Sequence, residues 1–298
     1  MNGIINVYKE EDFTSFDVVA KLRGILKQKK IGHTGTLDPK AQGVLPVCLG
    51  KSTKVCDLLT DKDKEYEAVM LLGITTDTQD MTGTILSEKT VSCSDENVRE
   101  AVMQFVGDYD QIPPMYSALK VNGQKLCNLA RAGIEVERKA RPVHIFEIEI
   151  ISIALPRVKM RVHCSKGTYI RTLCQDIGEQ LGCGACMESL LRTRVADFAL
   201  ENAYRLSEIE EAVKNGSIGE MIAPTDSVFA KYPGVTIRPE YEKQLYNGNR
   251  LPIAACEKWQ EEWSLQPLRI YDMENRFIGI YEYKEQEREL KPVKIFME

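Results

Sequence analysis

The pattern of apolar and polar positions predicts an α+β chain. Apolar residues recur at helical spacing after Thr14, which forms a capping-box sequence with Asp17, so a helix is expected there. Residues 64–72 alternate with a period of two, which predicts a strand whose more apolar face includes Tyr66. Further strands are predicted at residues 3–8, 142–155 and 157–165, and further helices at 95–106, 170–181 and 207–215.

Two segments interrupt this order and suggest the domain organisation. Residues 108–141 contain two prolines, an Asn-Gly break and a basic end, which predicts a projecting insertion able to grip a partner. A second break near residues 231–234 is followed by short alternating runs, which indicate a small β-rich domain. We therefore expect a larger domain over residues 1–232 and a smaller one over residues 233–298.

Cysteine usage and hydropathy favour a soluble, cytoplasmic protein. The nine cysteines of the 298 residues are scattered through apolar patterns, which is typical of reduced thiols. We interpret Cys183 and Cys186 as two incidental thiols in a loop and not as a zinc or redox site. Only three histidines are present, and none has a paired spacing. No leader sequence and no apolar run of membrane-spanning length is evident. His144 and His163 fall in predicted strands and are expected to be structural.

The charge distribution leaves room for a nucleic-acid partner. The net charge is −5, yet residues 1–198 contain 26 lysines and arginines and 26 aspartates and glutamates, so the acidic excess lies in the last hundred residues. Local patches, rather than net charge, govern steering to a polyanion. Basic clusters occur at residues 27–30, 51–54, 131–141, 166–171 and 192–194, and each by itself predicts only a solvated face.

The stretch GHTGTLDPKAQG, residues 32–43, holds a single carboxylate, Asp38, among glycines and hydroxyls. Glycine tolerates positive φ, and the residue before proline is pushed towards extended geometry, so this composition fixes the backbone instead of adding buried surface. An ordinary turn and a functional loop explain this segment about equally well by itself.

Four motifs together resemble the bacterial TruB-type tRNA pseudouridine-55 synthases. They are GHTGTLDPKAQGVLPVCLGKSTK at 32–54, KEYEA at 64–68, QIPPMYSALKVNG at 111–123 and CSKGTYIRTL at 164–173, with SLLRTRVADF at 189–198 extending the match. The resemblance implies a mixed, largely antiparallel sheet flanked by helices, plus a small PUA-like C-terminal domain. It also implies isomerisation of one uridine in the T-arm of tRNA, by a monomer, with no cofactor and no metal.

The resemblance assigns three residues to the reaction. Asp38 is the expected nucleophile, because a positioned carboxylate is a sensible device for exchanging a carbon–nitrogen glycosidic bond for a carbon–carbon bond. Its attack at the ribose C1′, its attack at C6 of uracil and a glycal intermediate all stay open. Arg171 is expected to pair with Asp38 and hold its pKa down. Tyr66 is expected to stack on the flipped uracil; proton handling after the new bond forms is the less favoured role, since a phenol with an ordinary pKa is a weak base at neutral pH.

Five further residues are expected to contact the substrate. The resemblance places Tyr169 against the nucleotide, orienting Arg171, and Leu190 beneath the base. Side chains 169 and 171 point the same way only in extended chain, so the helix is predicted to start after Tyr169. His33 is expected to fill the stack vacated by the flipped base, with a backbone-bonded loop histidine as the alternative. Lys9 and Lys64 are expected to touch RNA phosphate.

One departure and two rival functions qualify this prediction. The family usually has Lys-Pro-x-Gly before its first helix, whereas this chain has Lys9 followed by Glu10, Glu11 and Asp12, which places three acids where RNA might approach. The rivals are a guide-RNA-dependent synthase of the dyskerin type and a non-catalytic RNA-binding or RNA-folding module. In the second rival Asp38 is only a turn residue.

Overall fold

The computed structural model describes residues 1–297. Its α-helices are α1 (Ser15–Leu26), α2 (Cys56–Thr60), α3 (Asp95–Met103), α4 (Leu126–Arg131), α5 (Ile170–Gln180), α6 (Leu206–Asn215) and α7 (Glu242–Tyr246). Its first fourteen strands are β1 (Gly3–Lys9), β2 (Ile31–His33), β3 (Gln42–Leu49), β4 (Lys64–Leu72), β5 (Ile74–Thr76), β6 (Ile85–Glu88), β7 (Gly107–Gln111), β8 (Lys120–Val121), β9 (Gln124–Lys125), β10 (Arg141–Ala154), β11 (Arg157–Cys164), β12 (Ala185–Val195), β13 (Phe198–Ala199) and β14 (Ile222–Ala223). The last five are β15 (Gly234–Thr236), β16 (Leu251–Pro252), β17 (Leu268–Tyr271), β18 (Phe277–Lys284) and β19 (Glu289–Ile295).

One large mixed sheet organises the first three quarters of the chain. Its strand order is β14-β1-β3-β12-β4-β11-β10-β7, with β2 added beside β3 and β13 beside β12. All pairings are antiparallel except that of β3 with β12. Strand β3 is apolar and buried along nearly its whole length, whereas β4 buries every second residue through its first half. The α+β class predicted from the pattern and the mixed, largely antiparallel sheet implied by the resemblance are therefore confirmed.

The predicted signals at the helix starts are also present. Thr14 caps α1, with its hydroxyl accepting from the backbone N–H of Asp17, while the Asp17 carboxylate accepts from the backbone N–H of Thr14. Helix α5 begins at Ile170, directly after the extended Tyr169, as predicted. The helix predicted over 95–106 ends earlier, at Met103, because the chain turns at Gly107 (φ +106°) to enter β7.

The start of the predicted insertion needs a correction. Strand β7 pairs with β10 at the edge of the large sheet, so residues 108–111 belong to the sheet instead of projecting from it. Polar residues dominate this strand, which hides it from hydropathy patterns, and Gln111 is buried. The segment outside the sheet comprises residues 112–140 and contains the β8–β9 hairpin and α4.

The C-terminal residues form a second, smaller sheet with the order β15-β17-β18-β19-β16. Its core is built from its own residues, including Ile270, Tyr281 and Leu290. Ile280 and Phe296 instead pack with Ile4 and Cys48 of the large sheet, so an apolar contact joins the two sheets.

The prediction that Cys183 and Cys186 share a loop also needs a correction. All nine cysteines are free, but Cys186 lies in β12 and only Cys183 lies in the preceding turn. Within residues 1–297 no cluster of three or more histidine, cysteine or acidic side chains has the arrangement of a metal site. No helix in this part of the chain has the length and apolarity needed to cross a membrane.

Candidate active site

A cleft of about 310 Å³ opens where the Asp38 turn, β4, β12 and the start of α5 meet. Six of the predicted site residues line it, although they come from four separate motifs: Asp38, Lys64, Tyr66, Tyr169, Arg171 and Leu190. The loop carrying Tyr116 and Ser117, at the root of the 112–140 segment, closes one side. Convergence of separate motifs on one cleft favours the functional interpretation of Asp38 over the ordinary turn.

Short-range contacts fix the turn that carries Asp38. The backbone N–H of Ala41 donates to the carbonyl of Asp38 (3.0 Å), and the N–H of Leu37 donates to the Ser15 hydroxyl (2.9 Å) at the start of α1. Gly43 follows with φ +103°, and a Cβ there would lie 2.2 Å from the carbonyl oxygen of Arg192. Glycine is therefore required at position 43 for β3 to approach β12.

Lys9 braces this turn from within, which contradicts its predicted contact with RNA phosphate. Its ammonium is fully buried and donates to the carbonyls of Glu10 (3.1 Å), Pro39 (3.0 Å) and Ala41 (2.5 Å). Burial lowers the pKa of Lys9 to about 8, with the Asp38 carboxylate acting in the opposite direction. A charge held by three carbonyls has no surface to offer a phosphate, so we assign Lys9 to the support of the Asp38 turn.

Arg171 joins the Asp38 turn to two other loops. Its guanidinium, 7% exposed, lies 3.3 Å from a carboxylate oxygen of Asp38 and 3.8 Å from one of Asp80. The same group donates to the carbonyl of Tyr116 (2.7 Å). A planar guanidinium with several donors suits such a site, because it reaches separate acceptors at once.

Contrary to the expectation from the sequence, the pKa of Asp38 is raised. Burial among the walls of the cleft raises it, Arg171 partly offsets this effect, and the second carboxylate, Asp80, adds to the upward shift. The Asp38 side chain nevertheless keeps 38% of its surface exposed. The site therefore holds a carboxylate that is poorly solvated, accessible and fixed in direction.

Tyr66 points into the cleft from β4, as the alternation predicted, and its cross-strand partner on β12 is Arg192. Burial raises the pKa of Tyr66, and the neighbouring Arg192 partly offsets that shift, so the phenol is protonated at neutral pH. This protonation state favours stacking over a role as a base.

Arg192 was predicted to lie on a solvated face, and that prediction is wrong. It is 1% exposed, and its Nε donates to the carbonyl of Val44 (2.7 Å), while a terminal nitrogen lies 3.3 Å from the carbonyl of Gly35. Arg192 also lines the cleft. Leu190 lies two residues earlier in the same strand, so the period of two offered a signal for this inward position.

Asp80 is the other site residue that the sequence did not single out. Its carboxylate accepts hydrogen bonds from the Thr78 hydroxyl (2.8 Å) and from the backbone N–H of Thr82 (2.9 Å). These contacts aim the remaining oxygen towards Arg171. An acid among threonines and a glycine resembles the local composition around Asp38, and that similarity was the only available signal.

Lys64 and Tyr169 both lie in the cleft wall. Hydrogen bonds hold the ammonium group of Lys64 and the backbone of Tyr169. The Lys64 ammonium donates to the carbonyls of Thr60 (2.5 Å) and Lys62 (2.6 Å), and burial lowers its pKa to about 8. The N–H and carbonyl of Tyr169 both bond to the side-chain amide of Gln111, at 2.8 and 3.1 Å. Lys64 therefore has donors already engaged, which weakens its predicted phosphate contact.

His33 lies at the end of β2 and outside the residues that line the cleft. Its Nδ1 accepts from the backbone N–H of Gly35 (3.3 Å), the arrangement weighed as the alternative to a stacking role. Burial and Arg192 lower the pKa of His33, so its ring is neutral at neutral pH. A neutral ring on a turn beside the cleft is compatible with stacking, and that role stays a prediction.

The three acids at the departure from the family pattern are all paired. Glu11 and Asp12 lie 3.2 and 2.8 Å from the Lys40 ammonium, and Glu10 lies 2.5 Å from Arg205. These ion pairs neutralise much of the charge beside the cleft, so the acids present less repulsion to a polyanion than the sequence suggested.

Two family models match this chain in succession. The model described as "TruB family pseudouridylate synthase (N terminal domain)" matches residues 23–170. The model described as "tRNA pseudouridylate synthase B C-terminal domain" matches residues 171–230. The first match contains Asp38 and Tyr66, and the second contains Arg171 and Leu190, so the cleft lies across both.

Whole-chain similarities agree with the family models. A protein named tRNA pseudouridine synthase B from Lachnoclostridium phytofermentans is 57% identical over 307 residues, covering 100% of both chains. The protein of that name from Alkaliphilus oremlandii is 45% identical, covering 99% of this chain and 97% of the other. A chain in the crystal structure of a Cbf5-Nop10-Gar1 complex is 27% identical, with a TM-score of 0.73, covering 99% of this chain and 85% of that one. This chain belongs to the TruB family of pseudouridylate synthases.

Proposed function

We propose that the protein isomerises uridine to pseudouridine at position 55, in the T-loop of tRNA, as a cytoplasmic monomer. The observation that carries the proposal is the Asp38 carboxylate, accessible in the cleft and held 3.3 Å from the Arg171 guanidinium. The names of the relatives support tRNA as the substrate class.

The reaction exchanges one bond to the ribose C1′ for another. The bond from C1′ to N1 breaks, the uracil turns, a bond from C1′ to C5 forms, the proton on C5 leaves, and N1 takes up a proton. Asp38 serves this sequence either as a carboxylate nucleophile, at C1′ or at C6, or by assisting the formation of a glycal intermediate without attacking carbon itself. Its raised pKa fits the task, because a poorly solvated carboxylate is more nucleophilic than a fully hydrated one.

The other residues hold the nucleotide while this happens. The target base must leave its stack to reach the cleft, at a cost of roughly a few kcal/mol. Tyr66 and Leu190 supply flat and apolar surface for the uracil, and Tyr169 packs against the nucleotide. His33 occupies the space that the base vacates.

The proposal is tested with unmodified tRNA transcribed from uridine that carries tritium at C5. Wild-type protein is expected to release tritium, because C5 loses its hydrogen when it bonds to C1′, and site-resolved mapping is expected to find pseudouridine at one T-loop uridine. A transcript with cytidine at that position is the control and should release none. Absence of release, or product at another uridine only, contradicts the proposal.

A guide-RNA-dependent synthase is the second candidate, because a chain of a Cbf5-Nop10-Gar1 complex shares the fold. The 57% identity over the full length to a protein named tRNA pseudouridine synthase B favours the standalone enzyme. Activity on the bare transcript, with no other RNA or protein added, separates the two.

Replacing Asp80 with asparagine is expected to move the acid limb of the pH–rate profile to lower pH. Asp80 contributes to the raised pKa of Asp38, so removing its charge lets Asp38 ionise at lower pH. The maximal rate should also fall, because Arg171 loses its second carboxylate. Single-turnover rates from pH 4 to 8 measure both effects. An acid limb at the same pH as in wild type, or at a higher pH, contradicts the effect of Asp80 on the pKa of Asp38.

Replacing Lys9 with methionine is expected to destabilise the protein by about 1–3 kcal/mol, because buried carbonyls around the Asp38 turn lose their donor. Denaturant titration measures this, with exposed Lys214→Met as the control. The slope of log affinity for tRNA against log salt should not change. A slope smaller in magnitude by about one in Lys9→Met would instead support the predicted contact between Lys9 and an RNA phosphate.

A further inference from the structure

Ser117 carries a buried polar atom that the chemistry described above does not use. Its hydroxyl oxygen is inaccessible to solvent and has no hydrogen-bond partner among the described residues, although the residue lies in the wall of the cleft. A buried hydroxyl without a hydrogen-bond partner destabilises the fold, so its presence at this position needs an explanation.

The loop around Ser117 is fixed, so the hydroxyl position is a property of the fold. The N–H of Ser117 donates to the carbonyl of Met115 (2.9 Å), and its carbonyl accepts from the N–H of Cys127 (3.0 Å). The preceding carbonyl, of Tyr116, accepts from Arg171. The same short loop therefore touches the guanidinium that holds Asp38.

Tyr169 is the neighbour able to partner this hydroxyl. Both side chains line the cleft, and the Gln111 amide holds the Tyr169 backbone through its N–H and its carbonyl, so these hydrogen bonds do not involve the ring. Burial raises the pKa of Tyr169, and the nearby Ser117 hydroxyl partly offsets that shift, so the phenol is protonated and able to donate. The two hydroxyls are thus adjacent without meeting hydrogen-bond geometry.

We propose that Ser117 is a positioning residue for Tyr169: when the flipped nucleotide enters the cleft, the Tyr169 ring turns and its phenol donates to the Ser117 hydroxyl. The bond satisfies the buried oxygen and fixes the ring against the nucleotide. It also connects the 112–140 segment to the catalytic cleft through a second contact besides Tyr116. This inference rests on the proposed function and deepens it.

A double-mutant cycle tests the pairing. Ser117→Ala and Tyr169→Phe are each expected to lower kcat by about three- to tenfold, the worth of one hydrogen bond, and the double variant is expected to be no slower than the slower single one. Ser117→Ala should leave the thermal midpoint unchanged or raised, since it removes an unsatisfied group. Tyr281→Phe removes another unpartnered buried hydroxyl, in the C-terminal core, so its thermal midpoint should likewise be unchanged or raised, whereas its kcat should equal that of wild type.

Several results overturn the pairing while leaving the proposed function intact. They are full activity in Ser117→Ala, losses that multiply in the double variant, or a loss of activity in Ser117→Ala that follows a lower thermal midpoint. Wild-type protein forms pseudouridine in the same assay if the proposed function holds. Its failure to do so is a separate result, and it overturns the proposed function and the inference together.

Discussion

Asp38→Asn is expected to abolish pseudouridine formation, with a rate loss on the order of 10⁴-fold or more, while affinity for tRNA stays within about twofold. The amide is nearly isosteric but cannot act as the nucleophile. Because burial raises the pKa of Asp38 above that of an unfolded chain, the ionised carboxyl costs stability at pH values above its ordinary range. The variant should therefore melt at the same temperature as wild type or slightly higher.

Three measurements check this expectation: tritium release from C5 under single-turnover conditions, binding of unmodified tRNA and the thermal midpoint. Lost activity with a lowered midpoint would indicate damage to the turn instead of lost chemistry. Unchanged activity would show that Asp38 does not carry the reaction. Absence of pseudouridine with wild-type protein, together with unchanged tRNA affinity in Asp38→Asn, would support the rival in which Asp38 is a turn residue of a non-catalytic RNA-binding or RNA-folding module.

Arg171→Lys is expected to lower kcat by on the order of 10²–10³-fold. The lysine keeps the charge, but a single ammonium cannot reach Asp38, Asp80 and the Tyr116 carbonyl together, so the Asp38 carboxylate loses its fixed direction. Less effective pairing also leaves the pKa of Asp38 higher than in wild type. The acid limb of the pH–rate profile should therefore move to higher pH, opposite to its movement in Asp80→Asn.

Arg161→Lys is the matched control for Arg171→Lys. Arg161 is partly exposed and pairs with Glu67 and Glu149 away from the cleft. Replacing its guanidinium with the ammonium of lysine should therefore leave kcat within about twofold of wild type. Equal losses in both variants, or a limb that moves the same way in Arg171→Lys and Asp80→Asn, would contradict the role given to Arg171.

Local signals in the sequence predicted much of the fold. The alternation of β4 placed Tyr66 inward, and the capping box of Thr14 and Asp17 set the start of α1. Strand β7 was missed because an edge strand needs one partner and little apolar surface, so its polar sequence carries no periodic signal.

The parts of the site that could not be predicted depend on tertiary burial. The sequence shows that Lys9 and Arg192 are charged, but only packing shows that both are enclosed by backbone carbonyls. The pKa of Asp38 was predicted in the wrong direction for the same reason. The cation expected to lower it is present, yet desolvation and Asp80 outweigh that cation, and neither effect can be derived from residue types alone.

The most direct measurement is a map of pseudouridine across a complete unmodified tRNA after incubation with wild type and with Asp38→Asn, at concentrations where both bind the RNA fully. We predict one modified site for wild type, the T-loop uridine at position 55, and none for Asp38→Asn. Pseudouridine at that site from Asp38→Asn, at a rate near that of wild type, would show that the carboxylate in the cleft does not carry the reaction.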